Sequence, residues 1–149
     1  MSPEASFHTA PTLAMDKDAL HTFLARDFPQ IGSEMQVDHV DMSGLIMRLR
    51  VRSHHLRPGG TVSGPSMFGL ADVAMYLAIL SRIGPKALAV TTNCAIDFMR
   101  KPVAGQDVLA EVRLLKLGRR LAVGDVMLFS EGLADPVARA SLTYAIPPT

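Results

Sequence analysis

The sequence predicts an α+β fold: an antiparallel β-sheet of about six strands wrapped around one long central helix. Three observations carry this. The run "GPSMFGLADVAMYLAIL" is apolar on nearly every face, so as a helix it must be buried on most sides. Strand-like stretches flank it, two before and four after. The turns joining neighbouring strands are short, which suits hairpins. That order, strands with one interposed helix, is the α+β pattern.

Residues 1–15 carry Pro3 and Pro11 and no clear period, and read as a flexible N-terminal arm. Residues 16–149 then read as a single domain. Asp16 can cap a first helix that places Ala19, Leu20, Phe23, Leu24 and Phe28 on one face, and Pro29 ends it. The stretch "EMQVDHVDM" alternates, setting Met35, Val37 and His39 against Gln36, Asp38 and Val40. In "GLIMRLRV", Leu45, Met47, Leu49 and Val51 oppose Arg48 and Arg50. The "MSG" between the two suits a hairpin turn.

A loop rich in Gly and Pro, "HHLRPGGTVSGP", leads to the long helix at about 65–82. Pro65 suits its first turn, where a missing N–H costs nothing, and "IGPK" stops it. Four strands follow, within 87–99, 107–117, 120–130 and 137–146. One sheet covers only one side of so apolar a helix, so the pattern also predicts a second subunit.

Bulk properties narrow the function. With 48% hydrophobic and 19% charged residues the chain can build a core, which argues against disorder. A net charge of +1 gives no global attraction for nucleic acid or an anionic membrane. Cys94 is the only cysteine, so neither an intrachain disulfide nor a cysteine-based zinc site can form. A reducing compartment, the cytoplasm, is the expected location. The N-terminus lacks the basic and apolar pattern of a leader peptide. The longest apolar run, about 65–80, is short for a bilayer and is interrupted by Asp72.

Asp72 demands an explanation, because burying a carboxylate costs several kcal/mol (about 3–5 or more) unless it is paired. Its alternatives are a structural cap, an arginine partner, or chemistry. His54 and His55 invite a metal reading, but no cysteine or second cluster lies at ligand spacing, so they are expected to be polar loop residues. Cys94 is expected to be a small buried residue. Arg100 and Lys101 end a strand, and Arg119 and Arg120 sit at a hairpin; each pair is a solvated turn or a phosphate holder. Met67, Phe68 and Met75 are candidates for an adaptable apolar pocket, or plain core.

The layout, with "GTVSGPSMFGLADVAM", "IDFMRKP" and the "GRRLA" turn in that order, resembles the hotdog-fold acyl-CoA thioesterases of the PaaI-like branch, over roughly residues 40–146. The resemblance implies hydrolysis of an acyl-CoA thioester to free acid and CoA. It implies no metal or redox cofactor, coenzyme A being part of the substrate. It assigns Asp72 as general base or nucleophile and the Gly64 N–H as the group polarising the carbonyl. Thr91 would position water, with Thr92 in its place if the register slips by one. Together with the candidates read from the residues above, the substrate-binding set is Arg57, Ser63, Pro65, Phe68, Thr92, Arg100, Lys101, Arg119 and Arg120. Ser63 and Pro65 stand where the family often has His and a second Gly. It implies a homodimer, often paired into a tetramer. Two alternatives stand beside it. One is a non-catalytic acyl-CoA-binding hotdog protein, which the retained Asp72 argues against. The other is a hotdog hydratase or dehydratase, which the lack of a helix histidine argues against.

Spacing adds a constraint. Gly64 and Asp72 are eight residues apart, roughly 12 Å along a helix. A reacting carbonyl and its water lie only about 3 Å apart. One chain cannot bring both groups to one carbonyl, whereas two chains related by a two-fold axis can.

Overall fold

The computed structural model describes residues 12–148; of the arm expected at 1–15, residues 1–11 lie outside the described residues. Ala14 and Met15 donate main-chain hydrogen bonds to the Ser81 carbonyl, and Met15 is buried. Helix α1 (Lys17–Asp27) starts at Asp16, whose side chain accepts from the Ala19 N–H. Leu20, Phe23 and Leu24 form its buried face. Pro29 does more than end this helix: it opens a second short one, α2 (Pro29–Gly32), where its fixed φ fits the first turn.

Strands β1 (Met35–Asp41), β2 (Gly44–Leu49), β3 (Val90–Phe98), β4 (Val108–Leu117), β5 (Leu121–Ser130) and β6 (Pro136–Ala145) form one antiparallel sheet. Their order across it is β1-β2-β4-β5-β6-β3. Helix α3 (Gly64–Ile83) lies in the concave side, between β2 and β3 in the chain. This is the expected helix, six-stranded sheet and element order.

One register differs from the sequence pattern. A bulge between Val37 and His39 sets Val37 opposite Met47 but His39 opposite Ile46. An extra residue in one strand reverses the facing of everything after it. Val40, opposite Leu45, therefore packs on the core, and His39 is exposed.

The concave face is built from Leu45, Met47 and Leu49, from Val108, Ala110 and Val112, from Ala122, Val126 and Leu128, and from Ala138 and Leu142. Small side chains among these let α3 sit close to the sheet. At Gly124 the approach is close: a β-carbon there would lie 2.5 Å from Met75 Sδ. Twelve of the twenty α3 residues are buried. By length and composition α3 could cross a bilayer, but two thirds of that stretch (67%) is buried inside the protein, as expected of a core helix.

Gly44 opens β2 at the end of the β1–β2 turn, which Asp41 ties by accepting from the Ser43 and Gly44 N–H groups. A β-carbon at Gly44 would lie 1.9 Å from the Val112 carbonyl oxygen, a main-chain atom that cannot step aside. Gly44→Ala is therefore expected to destabilise the fold by about 3 kcal/mol, lowering Tm by roughly 10 °C. Thermal unfolding measures this; a Tm within two degrees of the parent would refute it.

Strand β3 stands apart. It is one of the two edges of the sheet, β1 being the other, and among the described residues it is bonded only to β6. Val90 and Phe98, at its two ends, are 55% and 51% exposed. An apolar, unpaired edge is a place for another strand.

Candidate active site

Asp72 lies on α3 and is half-buried. It does not sit in purely apolar surroundings, as its sequence neighbours suggest. The Thr91 hydroxyl donates to its Oδ1 at 2.6 Å, and the Tyr144 hydroxyl reaches the same oxygen at 2.8 Å. Tyr144 also lies 3.0 Å from the Asp72 main-chain carbonyl. Among the described residues no arginine pairs with Asp72, and Oδ2 has no hydrogen-bond partner.

Sheet register delivers both hydroxyls. Thr91 and Tyr144 are opposite one another across β3 and β6. A bulge follows at once, because Asn93, not Thr92, is opposite Thr143. Thr92 is the extra residue; it is exposed and donates to the Thr143 carbonyl at 3.3 Å. The bulge thus separates the two threonines: Thr91 meets Asp72 and Thr92 does not. Bulges commonly re-aim a side chain in this way. Cys94 is half-buried nearby; burial, aided by the Asp72 charge, pushes its thiol up, which keeps it protonated and weakly nucleophilic.

Asp72, Thr91 and Tyr144 open on a cavity of about 510 Å³, with Phe23, Phe28 and Tyr76 among its walls. The rings are ordered. Tyr76 stacks on Tyr144 with centroids 6.1 Å apart, and Phe23 meets Tyr76 edge-on at 6.1 Å.

Gly64 opens a different cavity, of about 350 Å³, lined by Arg57, Met67, Phe98, Arg100 and Lys101 among others. It shares no residue with the Asp72 cavity. Ser63 is the cap of α3: its hydroxyl accepts from the Ser66 N–H, and its carbonyl accepts from Met67. Pro65 has no N–H. Gly64 therefore keeps the one N–H of this first turn that no described group uses. Helix geometry leaves such donors facing outward with partial positive charge. A 3₁₀ turn at Ser53–His55 steers the loop into place, since the His55 carbonyl accepts from Ser63 N–H at 2.8 Å.

The remaining candidates scatter. Phe68 is 38% exposed and lines neither cavity. Met75 is fully buried against Gly124, so it is core. Arg119 and Arg120 line a separate cavity with Lys86, near the far end of α3. Glu34 joins His54 and His55, with one ligand atom from each within 4.8 Å of the others, a cluster the sequence separation hid. His55 Nδ1 accepts from the Arg52 N–H at 2.8 Å, which places the proton of the neutral ring on Nε2, facing Glu34.

Comparison with known proteins agrees with this architecture. The family model of the thioesterase superfamily matches residues 59–136, spanning the Gly64 loop, α3 and most of the strands after it. The chain belongs to that superfamily. A Pseudomonas aeruginosa protein, PA0474, named for an inferred esterase activity, is 34% identical over 69% of this chain and 75% of its own. A solved structure from Silicibacter sp. TM1040, named as an inferred thioesterase, is 57% identical with a TM-score of 0.87, covering 93% of this chain and 96% of that one. The phenylacetic acid degradation protein PaaI of Thermus thermophilus, solved as a mutant, is 31% identical with a TM-score of 0.69, covering 80% and 99%. This thioesterase is thus a thioester hydrolase of the hotdog fold, similar to the PaaI proteins.

Proposed function

We propose that this thioesterase hydrolyses an acyl-CoA as a homodimer with two composite sites, each pairing Asp72 of one protomer with the Gly64 N–H of the other. The observation that carries this is the position of the two half-sites at opposite ends of β3. Phe98, at one end, lines the Gly64 cavity, and Val90 and Thr91, at the other, line the Asp72 cavity. Antiparallel pairing of β3 with a second β3 about its middle, near Cys94, sets each Phe98 end beside the partner's Val90 end. The apolar edge is covered, and the two half-sites meet twice per dimer.

In this reading Asp72 Oδ2 takes a proton from a water as that water attacks the thioester carbon. Thr91, fixed on Oδ1, stands beside the water. The carbonyl oxygen gains charge and is held by the partner's Gly64 N–H; one such donor is worth about 3 kcal/mol. The C–S bond then breaks, the CoA sulfur takes up a proton, and the free acid leaves. Arg57, Arg100 and Lys101 stand around the Gly64 cavity, placed to meet the CoA phosphates. Arg100 is partly engaged, donating to the Pro136 carbonyl at 2.8 Å. Arg119 and Arg120, in the β4–β5 turn, line a different cavity of the same protomer.

The aromatic walls beside Asp72 favour an aryl-bearing acyl group. Full burial of a ring is worth about 2 kcal/mol over leaving it in water. Release of free thiol from phenylacetyl-, benzoyl-, acetyl-, hexanoyl- and decanoyl-CoA tests the reading. Phenylacetyl-CoA is expected to exceed acetyl-CoA in kcat/KM by at least about tenfold. Acetyl-CoA turned over equally well would refute the aryl preference, and no hydrolysis of any member would refute the acyl-CoA reading.

A further inference from the structure

We infer that Tyr144 is a positioning residue for the hydrolysis, holding Asp72 by Oδ1 so that Oδ2 alone is presented to the attacking water. The inference rests on the acyl-CoA reading above and adds to it a residue that neither the sequence motifs nor the comparisons single out. An ionised carboxylate only accepts hydrogen bonds, so both hydroxyls beside it must donate. Thr91 and Tyr144 direct their single protons at one oxygen, at 2.6 Å and 2.8 Å. The other oxygen is left with no described partner, in a cavity open to a ligand.

One hydroxyl would not suffice. The terminal torsion of an aspartate is soft, and a carboxylate held by one hydroxyl alone can still turn about it, taking its other oxygen off line. Tyr144 has no such freedom. Its ring is buried at 3% exposure and stacked on Tyr76, and Tyr76 donates in turn to the Ala87 carbonyl at 2.9 Å. The same Tyr144 hydroxyl touches the Asp72 main-chain carbonyl, so it ties both the side chain and the helix turn that bears it to β6. Burial raises the phenol well above its ordinary range, so it remains a donor throughout neutral pH. Packing alone does not account for these contacts, because phenylalanine would fill the same space without a hydroxyl.

Tyr144→Phe, which keeps the ring and its stacking, separates the roles. In phenylacetyl-CoA hydrolysis, kcat is expected to fall about tenfold or more, the usual cost of a lost orienting hydrogen bond, with KM within twofold. Thermal melting checks that the variant is folded. In an Asp72→Asn background, adding Tyr144→Phe is expected to cost little further, since the two act as a unit. A kcat within twofold of the parent, a loss carried by KM, or an equal loss in both backgrounds would overturn the inference while leaving the acyl-CoA reading intact. A parent protein inactive on every thioester would overturn that reading, and this inference with it.

Discussion

Asp72→Asn is expected to lower kcat for acyl-CoA hydrolysis by at least about a hundredfold, the scale of a lost general base. The substitution is close to a pure chemical change. The asparagine carbonyl can take the place of Oδ1 and accept from both Thr91 and Tyr144, so the contacts that orient the residue survive. What changes is the oxygen with no partner, which becomes an amide nitrogen unable to accept a proton. KM should move little, because the CoA-binding groups proposed around Gly64 are untouched. Thiol release under saturating substrate measures the effect, with melting as the control for folding. Activity within tenfold of the parent would remove Asp72 from the mechanism and leave the cavity as a binding site only.

The second large effect concerns the partner subunit. Gly64→Pro removes the uncommitted N–H; proline is tolerated in a first helical turn, and because Pro65 disfavours a helical residue before it, thermal melting checks that the variant is folded. The nearest obstacle to a β-carbon at 64 is Phe98 Cζ at 3.4 Å, the tip of an exposed side chain that can yield. Alone, this variant should lose about a hundredfold or more, as oxyanion donors do. Mixed with Asp72→Asn chains by co-refolding, it should regain activity. Half of randomly paired dimers are mixed, and each mixed dimer holds one complete site of two, giving about a quarter of parental activity. A mixture no more active than its components would show that each protomer completes its own site.

Local chemistry was legible in the sequence, and through-space chemistry was not. The Asp16 cap, the extent of α3 and the alternation of β2 depend on neighbours a few residues away, and all appear as read. Asp72 could be singled out because an acid in an apolar helix is a local anomaly, whereas Gly64, ordinary at a helix start, stands out only through the family resemblance. Tyr144 could not. It sits 72 residues from Asp72, and only the β3–β6 register and the curl of the sheet bring its hydroxyl there. A tyrosine in a strand gives no signal of its own, since aromatic residues are common there. The choice between Thr91 and Thr92 turned on a one-residue bulge, which alternation cannot locate. Glu34 escaped for the same reason as Tyr144, lying 20 residues from His54.

On the proposed mechanism, the spare N–H at the start of α3 also sets how the protein can lose its activity by mutation. It belongs to the peptide group, so every genetic substitution at position 64 except proline preserves the donor, whatever side chain arrives. Asp72 has no such protection, since its chemistry resides in atoms that one codon change removes. If Asp72 is the proton acceptor and Gly64 the oxyanion donor, random mutation removes the first more readily than the second. On that mechanism, descendants altered at position 72 would keep the carbonyl-holding N–H and lose the cleavage step.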